Sequence, residues 1–334
     1  MLNSRNRILA VLLAVVGGWT LWLEAPWAGD SFARTQAAVE TLFPEFDQQR
    51  ELVVRVEVSS ELGTVHLVRG PEHWGVEERF MHPVDAGKLA DLLDGIALLD
   101  TKNLVSVNPE KQATYGVAEG QGTRIRAFDG EGNVLADVIS GSLRGQDLLP
   151  GDAISLSFYL RRFDRDEVVL SNVWKDPVRT AEDWIEGAIF GSLNEEDVQW
   201  LRRLDEDPEL DWMVRREATE DPKEGDQMEW RMVQPRTEAI SELAAEQLIR
   251  TLVSLYVADV AERLKPGQDP DPKFGFPVAR FQAGIGPNQA VQLHFGTLDS
   301  QGRRFAWMPG SPWIYVVPES TAHNLRLSVD QFFE

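Results

Sequence analysis

Five histidines, His66, His73, His82, His294 and His323, are the first place to look for metal or proton chemistry in this 334-residue chain. No two stand four positions apart, so no helix face offers a pair of imidazoles to one metal, and none lies in an H-E-x-x-H pattern. His66 and His294 fall in strand-like segments, where an imidazole is an ordinary structural residue. Asp269 and Asp271 have the spacing that opens a calcium loop. Proline follows each of them, however, and no D-x-D-x-D-G loop with a closing glutamate appears. Gly284-Ile285-Gly286 lacks the third glycine and the helix start that together cradle a phosphate. Glu77-Glu78 and Glu195-Glu196 are adjacent on the chain, so their carboxylates diverge instead of flanking one substrate. There is no G-x-S-x-G elbow. The absence of cysteine removes disulfides, thiolate metal sites, cysteine nucleophiles and lipoprotein-type acylation together. The expectation is a non-enzymatic chain with no catalytic, cofactor-binding or metal-ligating residues. A metal site or a hydrolytic site assembled from distant residues would need a concave pocket with converging carboxylates or histidines.

Tryptophan is the more informative residue. Of the eleven present, Trp19, Trp22 and Trp27 lie in the first thirty residues, and Trp74 and Trp230 recur in a pattern described below. Trp174, Trp184, Trp200, Trp212, Trp307 and Trp313 remain for core, sugar stacking or protein contact. Trp307 and Trp313 flank Pro309-Gly310-Ser311-Pro312, a hairpin turn, which makes Trp307, Trp313 and Pro309 the candidate interface.

Charge limits the partners. The chain has 33 basic against 54 acidic residues, a formal charge of -21. Such a field repels nucleic acid, whose phosphates need a basic surface. It suits solubility, a salty environment, or a basic protein partner.

The elements that would position these residues begin with an anchor. Arg5 and Arg7 precede an apolar run from Ile8 to Leu23, and tolerant residues continue to Ala28, about twenty in all and enough to cross a bilayer. The three tryptophans gather at its far end, where amphipathic rings prefer the headgroup layer. Arginine before the run and acid after it predict the N-terminus inside and the remainder outside. The alternative is a cleaved signal peptide, but cuts after Ala25, Ala28 or Gly29 would place Leu23, Pro26 or Trp27 where a small residue is wanted. Both alternatives give the same sidedness.

From Leu52 the pattern alternates like strands, at Val53–Val58 and Thr64–Arg69. Trp74 and Pro83 follow, then an amphipathic helix predicted over about Val84–Leu99. Tyr115-Gly116-Val117 precedes four strand candidates, Thr123–Phe128, Val134–Ile139, Phe158–Phe163 and Glu167–Leu170. The second half replays the order. A constant offset of 156 carries Leu89, Leu92, Leu93, Ile96 and Leu99 onto Ala245, Leu248, Ile249, Leu252 and Leu255, and Trp74 onto Trp230. Asp211–Arg216 reads as a strand, and Pro235 precedes a helix of about Ala239–Tyr256. Phe274-Gly275-Phe276 answers Tyr115-Gly116-Val117, and Gly296-Thr297-Leu298 answers Gly141-Ser142-Leu143. Arg303–Trp307 and Trp313–Val317 answer the last two strands. The join near Phe190–Asp211 reads as a polar helix start, Asn194-Glu195-Glu196-Asp197, followed by an acidic turn. The predicted architecture is α+β: an anchor over 1–30, then modules over 40–192 and 193–334, each a helix on a mostly antiparallel sheet.

This ordered set resembles the bacterial family called domain of unknown function 4340. The resemblance rests on the span, Leu42-Phe43-Pro44, the paired strands, Trp74, Pro83-Val84-Asp85-Ala86, Tyr115-Gly116-Val117, the strand ending at Gly141 and the strand pair after Phe158. It covers residues 40–190 well and the second module more loosely, as two tandem copies. It implies a membrane-anchored companion of gliding-motility-type ABC transport systems, set beside the permease with its domain outside, and it carries no catalytic residues across. The functional expectation is an accessory or scaffold subunit of an ABC-type envelope complex in the cytoplasmic membrane, contacting a permease or other membrane proteins. The alternative is a periplasmic binding module for cell-wall glycan or another envelope ligand.

Overall fold

Alternation in the sequence becomes two-faced strands. In β1 (Arg55–Ser60) Val56 and Val58 are fully buried on one face, while Glu57 turns to the other and pairs with Arg126 at 2.5 Å. A computed structural model of the chain describes residues 39–144, 156–191, 193–218, 228–286 and 289–333. The apolar run from Ile8 lies outside the described residues; among those described, no helix is long and apolar enough to cross a membrane.

After β1 come β2 (Gly63–Arg69), β3 (Trp74–Val76) and β4 (His82–Pro83), then helix α1 (Ala86–Ala97). β5 (Leu104–Ser106), β6 (Thr123–Phe128), β7 (Val134–Leu143), β8 (Phe158–Arg162) and β9 (Val168–Ser171) complete the first sheet. The second begins with β10 (Trp200–Leu204), β11 (Trp212–Ala218), β12 (Met228–Gln234) and β13 (Glu238–Ala239), followed by helix α2 (Glu242–Val253). It closes with β14 (Asp259–Arg263), β15 (Ala279–Gly284), β16 (Ala290–Leu298), β17 (Arg304–Trp307) and β18 (Trp313–Val317).

Both sheets are antiparallel throughout, and their orders, β4-β3-β2-β1-β6-β7-β8-β9-β5 and β13-β12-β11-β10-β15-β16-β17-β18-β14, are one order shifted by nine strands. The expected offset of 156 is kept by both boundaries of the two helices and of the strands before them. Asp85 caps α1 by accepting from the Lys88 amide at 3.0 Å, and Ser241 caps α2 through the Ala244 amide. These caps make the helices shorter than the periodicity predicts. Leu99 and Leu255 are buried just past the helix ends, which is why the apolar pattern ran on.

The aromatic-glycine triplets end short 3-10 turns, with Gly116 at φ 70° and Gly275 at φ 63° in the left-handed region. Each turn rests on a glycine of a neighbouring strand. A Cβ on Gly141 would overlap the Tyr115 carbonyl, and one on Gly296 would overlap the Phe274 carbonyl. The next residues carry a bulge in both sheets, between Ser140 and Leu143 and between Phe295 and Leu298. Because the obstruction is backbone, Gly296→Ala is expected to cost about 3 kcal/mol through overpacking, read as a lowered urea midpoint. Gly302→Ala, with open space around its Cβ position but φ 77°, serves as the backbone-only control.

Several expectations need correction. The join between the halves holds more than a capped turn and an acidic turn: β10 runs between them and sits mid-sheet, between β11 and β15. Its fourth residue is Arg203, fully buried and donating to Asp205 at 2.5 Å, so the strand lacked an apolar signature. The strand expected at Asp211–Arg216 runs Trp212–Ala218, and the short β13 lies between Pro235 and α2. The repeated tryptophans would each fill the gap between helix and sheet; Trp230 is buried there, whereas Trp74 is only half-buried, with the Arg69 guanidinium 5.4 Å above its ring. The tryptophans that fill the core include Trp184 and Trp212. Trp184 and Phe332 hold matching places, since their carbonyls receive the amides of the two helix caps, Asp85 at 2.8 Å and Ser241 at 2.9 Å.

Candidate functional site

The residues with chemical potential converge where the two sheets meet. The turn Glu77–Arg79 leads into Phe80 and Met81, both in left-handed backbone at φ 58° and 60°. That conformation is uncommon for side-chain-bearing residues, and here it throws the turn outward against β14. Arg79 bonds Asp259 on β14 and, on its other side, Glu182 of its own half at 2.8 Å. Beside this clasp His82 is buried, with Trp313 at 5.0 Å and Tyr315 at 5.9 Å between ring centroids, both edge to face. His73 approaches the same indole at 6.5 Å. Burial lowers the His82 pKa to about 4, against the raising effect of its hydrogen bond to the Pro83 carbonyl. Burial likewise pushes the Tyr315 phenol up. At the base of the junction the Val257 amide donates to the Gly187 carbonyl at 2.8 Å, and the Tyr256 ring lies on Gly187. Behind these contacts one apolar core runs through both sheets, from Val56 and Leu67 to Trp212 and Phe332.

The pair that joins the two halves, Arg79 and Asp259, has side chains only 23% and 19% exposed. Arg79→Ala is therefore expected to destabilise the chain by about 2 kcal/mol, less than a fully buried pair. A double-mutant cycle with Asp259→Ala, read by urea unfolding, checks that the loss is coupling across the junction.

The other sequence candidates settle into structural contacts. His66 on β2 meets Glu78 at 2.5 Å, and His294 on β16 lies edge to face with Trp307 at 5.5 Å, its pKa lowered by burial. Asp271 caps the Pro272–Phe274 turn by accepting from the Lys273 amide at 2.8 Å. Gly284 and Ile285 flank the β15–β16 hairpin, and the Gly284 carbonyl accepts from the Gln199 amide. The Trp307 and Trp313 pair stands at the ends of the β17–β18 hairpin, with Pro309 exposed at its tip and both indoles half-buried. Trp313 faces the junction, and Trp307 faces an open groove. The described residues contain no cluster of three or more histidines and carboxylates able to hold a metal ion.

The family model for a domain of unknown function, DUF4340, matches residues 74–276, more than half of the chain. The chain belongs to the DUF4340 family. The match starts at Trp74 in β3 and ends at Phe276, just past the Phe274-Gly275 turn, so it crosses the junction instead of framing one sheet. It leaves out residues 40–73 of the stretch expected to match well, extends past residue 190 into the second half, and is a single match, not two tandem ones. No curated protein and no solved structure matches the chain.

Sequence reasoning found the hairpin but missed the junction. His82 carried no signal, because the residues that cover it lie more than 230 positions away.

Proposed function

We propose that this DUF4340 chain is a non-enzymatic, membrane-anchored accessory or scaffold subunit of an ABC-type transport or envelope complex. It acts by protein contact outside the cytoplasm. The observation that carries this reading is the use made of its reactive side chains. His82, Arg79, Asp259 and Tyr315 are spent on holding two sheets together, and His66 and His294 on local packing. The product is one broad body of two like-ordered sheets, suited to presenting surfaces at fixed positions.

In this reading residues 1–30 form a single span in the cytoplasmic membrane with the N-terminus inside. Residues 40–192 and 193–334 are tandem copies of one module. The equal strand orders, the offset of 156 and the paired bulges support common descent of the halves. The acidic surface favours partners with basic extracytoplasmic loops. Co-purification of the full chain from mild detergent, followed by mass spectrometry, tests the proposal. A permease and ATPase should be recovered with it, and recovery of the chain alone would count decisively against a complex.

A further inference from the structure

The two sheets share one grid of strands, and their outer faces fill its central places differently. Counting four residues back from the matched glycines Gly141 and Gly296 equates Asp137 with Gln292. Strand registers then equate Arg126 with Gln282 and Glu57 with Arg202. Two residues along, Arg124 answers Arg280. All these positions alternate with buried core residues such as Val56, Ile125, Leu201 and Phe281, so they stand on the face turned away from the core.

In the first sheet the face is neutralised from within. Arg126 pairs with Glu57 at 2.5 Å, and Arg124 grips Asp137 with two bonds, Nε at 2.9 Å and Nη2 at 2.6 Å. In the second sheet both carboxylates are gone. Arg202 stands in the place of Glu57, Gln292 in the place of Asp137, and Arg280 keeps the charge of Arg124. Neither Arg202 nor Arg280 forms an ion pair or hydrogen bond among the described residues, although the chain has a formal charge of -21. The Nε of Arg202 is out of solvent with no acceptor among them.

The strands set the geometry of the pair. Arg202 lies directly opposite Gln282, and Gln282 opposite Gln292, so one row across β10, β15 and β16 offers a guanidinium and two amides. Arg280 stands in the adjacent row, opposite His294. Arg202 and Arg280 are thus diagonal neighbours on paired strands, about 7–8 Å apart and within reach of one another's long side chains. Burial first, and then the Arg280 charge, lower the His294 pKa, so this row adds no third cation near neutral pH. The nearest carboxylates of the same half do not close the gap. Asp205 is turned inward to Arg203, and Glu206, on the rim beside Arg280, forms no ion pair. A strand face is flat, which suits a protein surface better than a small molecule, whose sites are concave.

We infer that the outer face of the second sheet docks an acidic segment of a partner protein, its carboxylates held by Arg202 and Arg280 with Gln282 and Gln292 alongside. The partner's carboxylates supply there what Glu57 and Asp137 supply in the first sheet, charge-assisted bonds to arginine. The inference rests on the protein-contact reading above and names the chemistry of one contact.

The test titrates the full chain in mild detergent into fluorescein-labelled hexaglutamate and reads anisotropy. It needs no membrane partner, so it succeeds or fails independently of the co-purification. Saturable binding is expected, against the repulsion of the chain's net charge. Affinity should fall about tenfold for hexaglutamine and for Arg280→Gln, as loss of one charged hydrogen bond implies. Arg280 is exposed, so that variant should keep the wild-type circular dichroism. Gln292→Asp gives Arg280 the internal partner that Asp137 gives Arg124, and should weaken binding by a similar factor with the fold intact. Gln301→Asp, in the β16–β17 turn, adds the same charge away from the site and should leave affinity unchanged. No saturable binding, equal affinity for hexaglutamine, an undiminished response in Arg280→Gln or Gln292→Asp, an equal loss in Gln301→Asp, or displacement of the peptide by equimolar inorganic phosphate would each overturn the assignment.

Discussion

Trp212→Ala should remove about 4 kcal/mol of stability, in the middle of the range for truncation of a core aromatic. The indole is fully buried in β11, with Phe332 at 4.9 Å and Phe281 at 6.2 Å, both edge to face. Its Nε1–H donates to the Leu327 carbonyl at 2.9 Å, so truncation leaves both a cavity and a carbonyl short of its main donor. Phe332 also receives the amide of the α2 cap, which ties the damage to the helix. Urea unfolding followed by far-ultraviolet circular dichroism measures the loss. The apolar core spans both sheets, so the variant should still unfold in one transition, at a lower midpoint. Two separated transitions would mean that the halves are energetically independent. Trp74→Ala, at a half-exposed ring, should cost less than half as much.

Acid should weaken the junction through His82. Its folded pKa, about 4, lies below the 6.5 of an ordinary imidazole, so the folded state binds fewer protons than the unfolded chain between these values. The contribution is fully present above pH 6.5 and is lost as pH falls from there through 4. Its size, from the shift, is about 3 kcal/mol. Protonation would place a cation beside His73 and under Trp313, with Tyr315 and the Pro83 carbonyl as its other neighbours. The test is unfolding free energy against pH for the wild type and for His82→Phe. Carboxylate titration is common to both, so their difference isolates the imidazole. The wild type should lose about 3 kcal/mol relative to the variant between pH 6.5 and 4. Parallel curves would show that His82 is protonated without penalty and that the junction is insensitive to it.

Much of the architecture was legible because the chain writes it twice, once in each half. Helix positions 89 to 99 recur at 245 to 255, and the glycine triplets fix where the chain returns to the sheet. What escaped were elements that carry little periodicity. β5 and β4 are three and two residues long, too short for alternation to register. β10 places Arg203 at a fully buried site, a residue that composition assigns to the surface. β15 hid behind Gly284-Ile285-Gly286, which drew attention as a phosphate loop when it ends a strand. The candidate site was half legible. The tryptophan hairpin and the Asp269–Pro272 loop each stood out alone, but only the pairing of β14 with β18 brings that loop's turn to the hairpin. Sequence separation, not residue type, concealed the groove.

The shared core has a consequence for how such a chain can be inherited. The wall that Val257, Tyr256 and Trp313 present to Gly187 and His82 would be raw apolar surface if either half were made alone. A gene encoding only the first or only the second half would yield a fragment that seeks the missing wall. Surviving variants should therefore gain or lose substitutions in pairs, with a change at residue 79 or 82 answered at 259 or 313.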